Sequence, residues 1–208
     1  MLTQTANPKS PQVAKFCRGI SVERPPVLLR ISPDDDSAPL DCFTNARRKV
    51  ARSGGRIVLG WAIWEWPGLY IEAEHHAVYD PPQGRAWIDL TPPQVPQIVT
   101  RLFLPDSTAA YDFENEGVRR DNHRQALTKD PLVQRFFESA RRHSEIMNSI
   151  PGVGEVQVTP AIARQLQSVQ HENAQITMAL AMKYTPRNAR CFCGSGEKFK
   201  RCHGSRRA

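Results

Sequence analysis

Residues 56–79 read RIVLGWAIWEWPGLYIEAEHHAVY. The stretch resolves into two strand-like runs, Arg56–Ile63 and Leu69–Tyr79, built from the β-branched and aromatic residues that strands favour. In the second run the odd positions Ile71, Ala73, His75, Ala77 and Tyr79 form a mostly apolar face. The even positions Glu72, Glu74, His76 and Val78 form a more polar one. A side-chain period of two gives one face to a core and the other to an open side. His75 is therefore expected to point inward and His76 outward. A third run, Ala86–Leu90, follows, and a fourth, Gln97–Leu104, comes after the proline-rich turn Thr91-Pro92-Pro93.

On the N-terminal side, Phe43, Ala46 and Val50 fall at steps of three and four, which predicts a helix over Asp41–Ser53. Asp41 is placed to cap it and Gly54-Gly55 to stop it. Residues 1–38, rich in proline, serine and aspartate, read as a mobile start with one strand near Val27–Ile31. On the C-terminal side, 106–129 is polar and irregular. Asp130-Pro131 then opens a helix carrying Leu132, Val133, Phe136, Phe137 and Ala140 on one side. Thr159-Pro160 opens another, running to about Tyr184, with a stripe of Ile162, Leu166, Val169, Asn173, Ile176 and Leu180. That stripe serves either packing against the body or a dimer seam through helix 160–184. The fold class is α+β: an antiparallel sheet packed on an N-terminal helix, followed by helices and a small tail. The expected divisions are 1–110, 111–185 and 186–208.

The tail concentrates ligand chemistry. Cys191, Cys193, Cys202 and His203 lie within thirteen positions, the ligand count and type of a closed structural zinc site. Four protein ligands leave no open position for water or substrate, so the expected cofactor, Zn2+, is structural rather than catalytic. Residues 186–208 also hold seven basic residues against Glu197 alone, a net +6 of the chain's +7. The body is thus nearly neutral and the basic surface belongs to the tail, which suits an acidic or RNA-bearing partner. No apolar run approaches the length of a membrane span, and the first residues lack the apolar core of a signal peptide. With thiolates that must stay reduced, this predicts a cytoplasmic protein with no membrane partner.

A second constellation lies in the body. Cys42 opens the first predicted helix, where the positive end of the helix dipole favours thiolate. If Tyr79 pairs with Ala86, then His76 faces Asp89 across the hairpin, within reach of an imidazole–carboxylate hydrogen bond. Cys42, His76 and Asp89 would then be nucleophile, base and orienting group. A two-residue slip would weaken the arrangement and a one-residue slip would destroy it. The tryptophans Trp61, Trp64, Trp66 and Trp87 all fall in the sheet region, mostly as core, with one face available for an aromatic groove.

Two resemblances accompany these readings. Residues 190–204, RCFCGSGEKFKRCHG, resemble the SEC-C motif, the zinc-binding tail of the SecA translocation ATPase. That resemblance implies a docking module for a protein or ribosomal partner. Asp41–Ala46, His76–Tyr79 and Ala86–Pro92 together resemble the core of the transglutaminase-like superfamily. There a cysteine opens a helix, and His-Ala and Asp-x-Thr strands complete a triad. Val78 stands where that family usually has tryptophan, and the glycine common before the cysteine is absent. This second resemblance implies a cysteine-dependent hydrolase or acyltransferase acting on an amide or related acyl bond. The alternative is a non-catalytic adaptor that docks through its zinc tail.

Overall fold

A computed structural model describes residues 3–95, 97–114, 120–150 and 158–205. Its centre is the hairpin of β3 (Arg56–Trp66) and β4 (Tyr70–Asp80), registered without a break from Arg56 opposite Asp80 to Trp66 opposite Tyr70. Gly68 turns the chain at φ +76°, a region most side chains avoid. The other strands assemble around this hairpin: β1 (Gln4–Thr5), β2 (Val27–Arg30), β5 (Thr100–Pro105) and β6 (His123–Ala126). Sheet order is β2-β5-β3-β4-β6, with β1 beside β3, and every pairing is antiparallel. β6 extends the sheet beyond residue 110.

Close approach of β5 to β3 depends on Gly60. A Cβ there would lie 2.1 Å from the Leu104 carbonyl oxygen and 2.9 Å from Pro105 Cα. Residues 3–38 are more ordered than their composition implies. Besides β1 and β2 they contain α1 (Pro11–Ile20), capped by the Ser10 hydroxyl and burying Val13, Phe16 and Cys17. Those three pack with Trp61, Ile63, Ile71, Ala73, Leu102 and Leu104. Burial pushes the Cys17 thiol up to about 11, so it behaves as a small apolar side chain.

The helix α2 (Cys42–Ser53) lies on the same face, where Cys42 and Ala46 meet Ala77 with Ile57 and Leu59 beside them. Asp41 stands at its N-cap position but makes no side-chain capping bond. The opposite sheet face is covered too, around Leu29, Val78 and Phe103 with Trp87 packed against them. Alternation along β4 therefore separates two buried environments, and His76, expected on an open side, is only 4% exposed.

The run Ala86–Leu90 forms no strand; it contributes isolated bridges, Tyr79 with Ile88 and Ile31 with Asp89. The last layer is an antiparallel hairpin of α3 (Pro131–Asn148) and α4 (Pro160–Tyr184). Asp130 and Thr159 cap them with their side chains, as their positions before proline predict. In α4, Ile176 and Leu180 pack with Val133 of α3 and with Trp66, Leu69 and Tyr70 of the sheet. Of the predicted stripe of α4, Val169, Ile176 and Leu180 are buried within the chain.

Candidate functional site

Backbone hydrogen bonds within the tail set its path. The Cys191 amide donates to the Glu197 carbonyl at 2.8 Å, and the Phe199 amide to the Ala189 carbonyl at 2.8 Å. Gly194 and Gly196, at φ +80° and +78°, reverse the chain between the ligand pairs. At Gly204 a Cβ would strike the Phe199 ring at 2.6 Å, which accounts for the glycine after His203.

This path gathers the ligand atoms of Cys191, Cys193, Cys202 and His203 within 4.8 Å of one another. Nδ1 of His203 lies 3.3 Å from both the Cys191 and Cys202 sulfurs, and the Cys193 and Cys202 sulfurs are 3.6 Å apart. A tetrahedral zinc with ordinary Zn–S and Zn–N bonds sets its ligand atoms about 3.5–3.8 Å apart, so the donor set fits that ion. The Ser195 hydroxyl and amide hold the Cys193 thiol down to about 6, favouring the thiolate a metal requires. Around this knuckle Arg187, Arg190, Lys198, Lys200 and Arg201 are all exposed. Arg206 and Arg207 lie outside the described residues.

The body site is built from three separate segments. Nε2 of His76, on β4, lies 3.2 Å from Oδ1 of Asp89. The Cys42 side chain, at the start of α2, packs against Ala77, the β4 neighbour of His76. The predicted register differs by two residues, since Tyr79 pairs with Ile88 rather than Ala86. Asp89 nevertheless reaches His76, because its backbone is fixed from the other side: the Ser32 amide donates to its carbonyl at 2.8 Å. Contact across the hairpin is therefore diagonal and depends on β2.

Sequence reasoning missed the fourth member. Arg101, on β5, forms a close ion pair with Oδ2 of Asp89, and its Nη1 lies 3.1 Å from His76 Nε2. The Thr91 amide donates to Asp89 Oδ1 at 2.9 Å. The Asp89 side chain has no exposed surface and that of Arg101 only 6%. A lone arginine in the apolar run Leu102-Phe103-Leu104 was the one available signal, and only the tertiary fold names its partner. Burial alone would push the His76 imidazole down, but the Asp89 carboxylate beside it outweighs that and raises it to about 10. Burial acts on Asp89 in the upward sense, and His76 and Arg101 overcome it, leaving the carboxyl below its ordinary range.

His75 faces the opposite core as expected. Its Nε2–H donates to the Ala109 carbonyl at 2.8 Å, and Phe43 and Trp61 flank its ring. Burial holds its pKa below the usual histidine value. The tryptophans do not line a common groove. Trp61 and Trp66 are buried, Trp64 donates to Glu74 at 2.9 Å beneath the Arg101 guanidinium, and Trp87 packs on Phe103.

A Cys3His cluster on a short glycine-turned knuckle has the make-up of a metal site. Residues 187–205 match the SEC-C motif. The chain is 32% identical over 98 residues to the protein translocase subunit SecA of Pseudomonas putida, covering 43% of this chain and 10% of that protein. It is 34% identical over 95 residues to SecA of Campylobacter jejuni subsp. doylei, covering 36% of this chain and 11% of the relative. The chain thus spans about a tenth of the length of the curated relatives it matches. No solved structure matches it. Among the described residues, no helix is long and apolar enough to cross a membrane.

Proposed function

We propose that this chain is a cytoplasmic zinc-binding adaptor that docks to a protein or ribosomal partner through its SEC-C tail. The observation that carries this reading is the convergence of Cys191, Cys193, Cys202 and His203 into one tetrahedral-sized cluster. Zinc fixes the knuckle, and its exposed arginines and lysines supply a salt-sensitive surface for acidic or phosphate-bearing partners. The purified chain should contain one zinc, lost in Cys202→Ser and retained in Cys17→Ser. Deleting 186–208 should abolish co-purification of the partner. Metal-free protein, or partner capture that survives the deletion, refutes the reading.

A second reading rests on the body site. Cys42, His76 and Asp89 stand in the order of a thiol hydrolase of transglutaminase-like fold. Cys42 would attack an acyl carbon, His76 would protonate the leaving amine, and water would release the thioester. Arg101 weighs against it, because its guanidinium already neutralises Asp89 and competes for His76 Nε2. A scaffold needs this buried cluster only to be satisfied. Selective alkylation of Cys42 at mildly acidic pH separates the two readings, since only a thiolate paired with His76 reacts there.

A further inference from the structure

The knuckle is seated on the body. Phe192, between the ligands Cys191 and Cys193, packs against the apolar cluster of Trp66, Leu69, Tyr70, Val133, Ile176, Leu180 and Ala181. The same ring faces the knuckle's own interior, 4.9 Å from the His203 ring and 6.0 Å from that of Phe199. Immediately upstream, Lys183 Nζ and Tyr184 Oη each donate to Asp130 Oδ2 at 2.6 Å. Asp130 also caps α3 through the Leu132 amide. The start of α3, the end of α4 and the metal knuckle therefore meet at one place.

From this junction we infer that zinc at Cys191, Cys193, Cys202 and His203 acts as a staple that holds the α3–α4 hairpin against the sheet through Phe192. The inference rests on the zinc reading above and adds a consequence for the rest of the molecule. Phe192 and Phe199 are the only large apolar side chains between the first and last ligand, too few to fold the knuckle without metal. When the metal leaves, Phe192 loses the two fixed sulfurs that flank it and withdraws from the cluster. Leu180 and Ile176 then lose cover at the end of α4. Coupling of this kind is reciprocal: whatever loosens the hairpin weakens zinc binding by the same factor.

The test uses the full chain, with metal content measured in every sample. Hydrogen exchange is followed by mass spectrometry before and after removal of zinc with a chelator. Peptides covering 131–137 and 176–184 should exchange about tenfold faster once the metal is gone, while those covering 13–20 in α1 should not change. Zinc affinity is read by competition with a chromogenic chelator. Leu180→Ala, which touches no ligand, should weaken it about tenfold, whereas Val13→Ala in the other core should leave it unchanged. If Leu180→Ala fails to fold, Phe192→Ala replaces it and should show fast exchange at 176–184 even with zinc bound. Exchange that does not respond to metal removal overturns the staple, as does unaltered zinc affinity in folded Leu180→Ala. A chain that binds no zinc at all overturns the zinc reading and the staple with it.

Discussion

Replacing Arg101 with methionine removes an ion-pair partner of Asp89, the most deeply buried charge among the described residues. The Asp89 side chain has no exposed surface, and Arg101, 6% exposed, is its closest cation. Methionine keeps much of the length and apolar contact over Trp64, so the loss is chiefly electrostatic. Removing one partner of a buried ion pair costs about 3–5 kcal/mol, because an uncompensated charge is left behind. His76 decides where in that range the variant falls. Its pKa is raised to about 10, so its stabilising contribution is complete below its ordinary value and is lost as pH rises through about 10. At pH 6 the imidazolium still neutralises Asp89, and the cost should sit near 3 kcal/mol; near pH 10 it should approach 5 kcal/mol. With a urea m-value of about 2 kcal/mol/M, the midpoint should fall by about 1.5 M at pH 6 and about 2.5 M at pH 10. The double variant Asp89→Asn/Arg101→Met should recover most of the loss, since no buried charge then lacks a partner. A midpoint shift under about 0.5 M at both pH values, or strictly additive costs in the double variant, would refute the argument.

Gly60→Ala should destabilise by at least about 1–3 kcal/mol, because the new methyl meets backbone atoms of β5 that cannot swing aside. A melting temperature within about 2 °C of the parent would contradict the observed spacing of β3 and β5. Lys183, Tyr184 and the Leu132 amide hold the Asp130 carboxyl down to about 2. Its stabilising contribution is therefore present above the ordinary aspartate pKa and lost as pH falls toward 2. Thermal melts should show the α3–α4 hairpin weakening across that window, and Asp130→Asn should remove that part of the pH dependence. If Cys42 reacts as a thiolate paired with His76, His76→Ala should move the rise of its alkylation rate to higher pH. An unmoved profile leaves Cys42 as a packing residue and favours the adaptor.

How much of this was legible in the sequence depends on the range of each signal. The tail ligands were legible because one short glycine-turned segment carries all four, so local chain reversal brings them together. α3 and α4 began where Asp130-Pro131 and Thr159-Pro160 place them, since a cap and a proline act within one turn. The same logic would have revealed α1, with Ser10 before Pro11 and Val13, Phe16 and Cys17 at helical steps. Its proline-rich surroundings mask that spacing. The β3–β4 hairpin was equally local, its two strands joined by a turn at Gly68.

The sequence by itself determined the helices that carry their own caps, the central hairpin and the convergence of the four candidate metal ligands. All of these rest on contacts between residues close along the chain. Tertiary structure alone decided that both sheet faces are covered, that His76 is buried on its polar face and that Ala86–Leu90 makes bridges instead of a ladder. It also chose Arg101 as the counter-charge of Asp89, packed Ile176 and Leu180 of α4 on α3 and the sheet, and seated Phe192 on the cluster they form. Each of these joins segments whose separation along the chain leaves no periodic trace. Alternation shows that two faces differ, but burial is set by what folds over them from elsewhere.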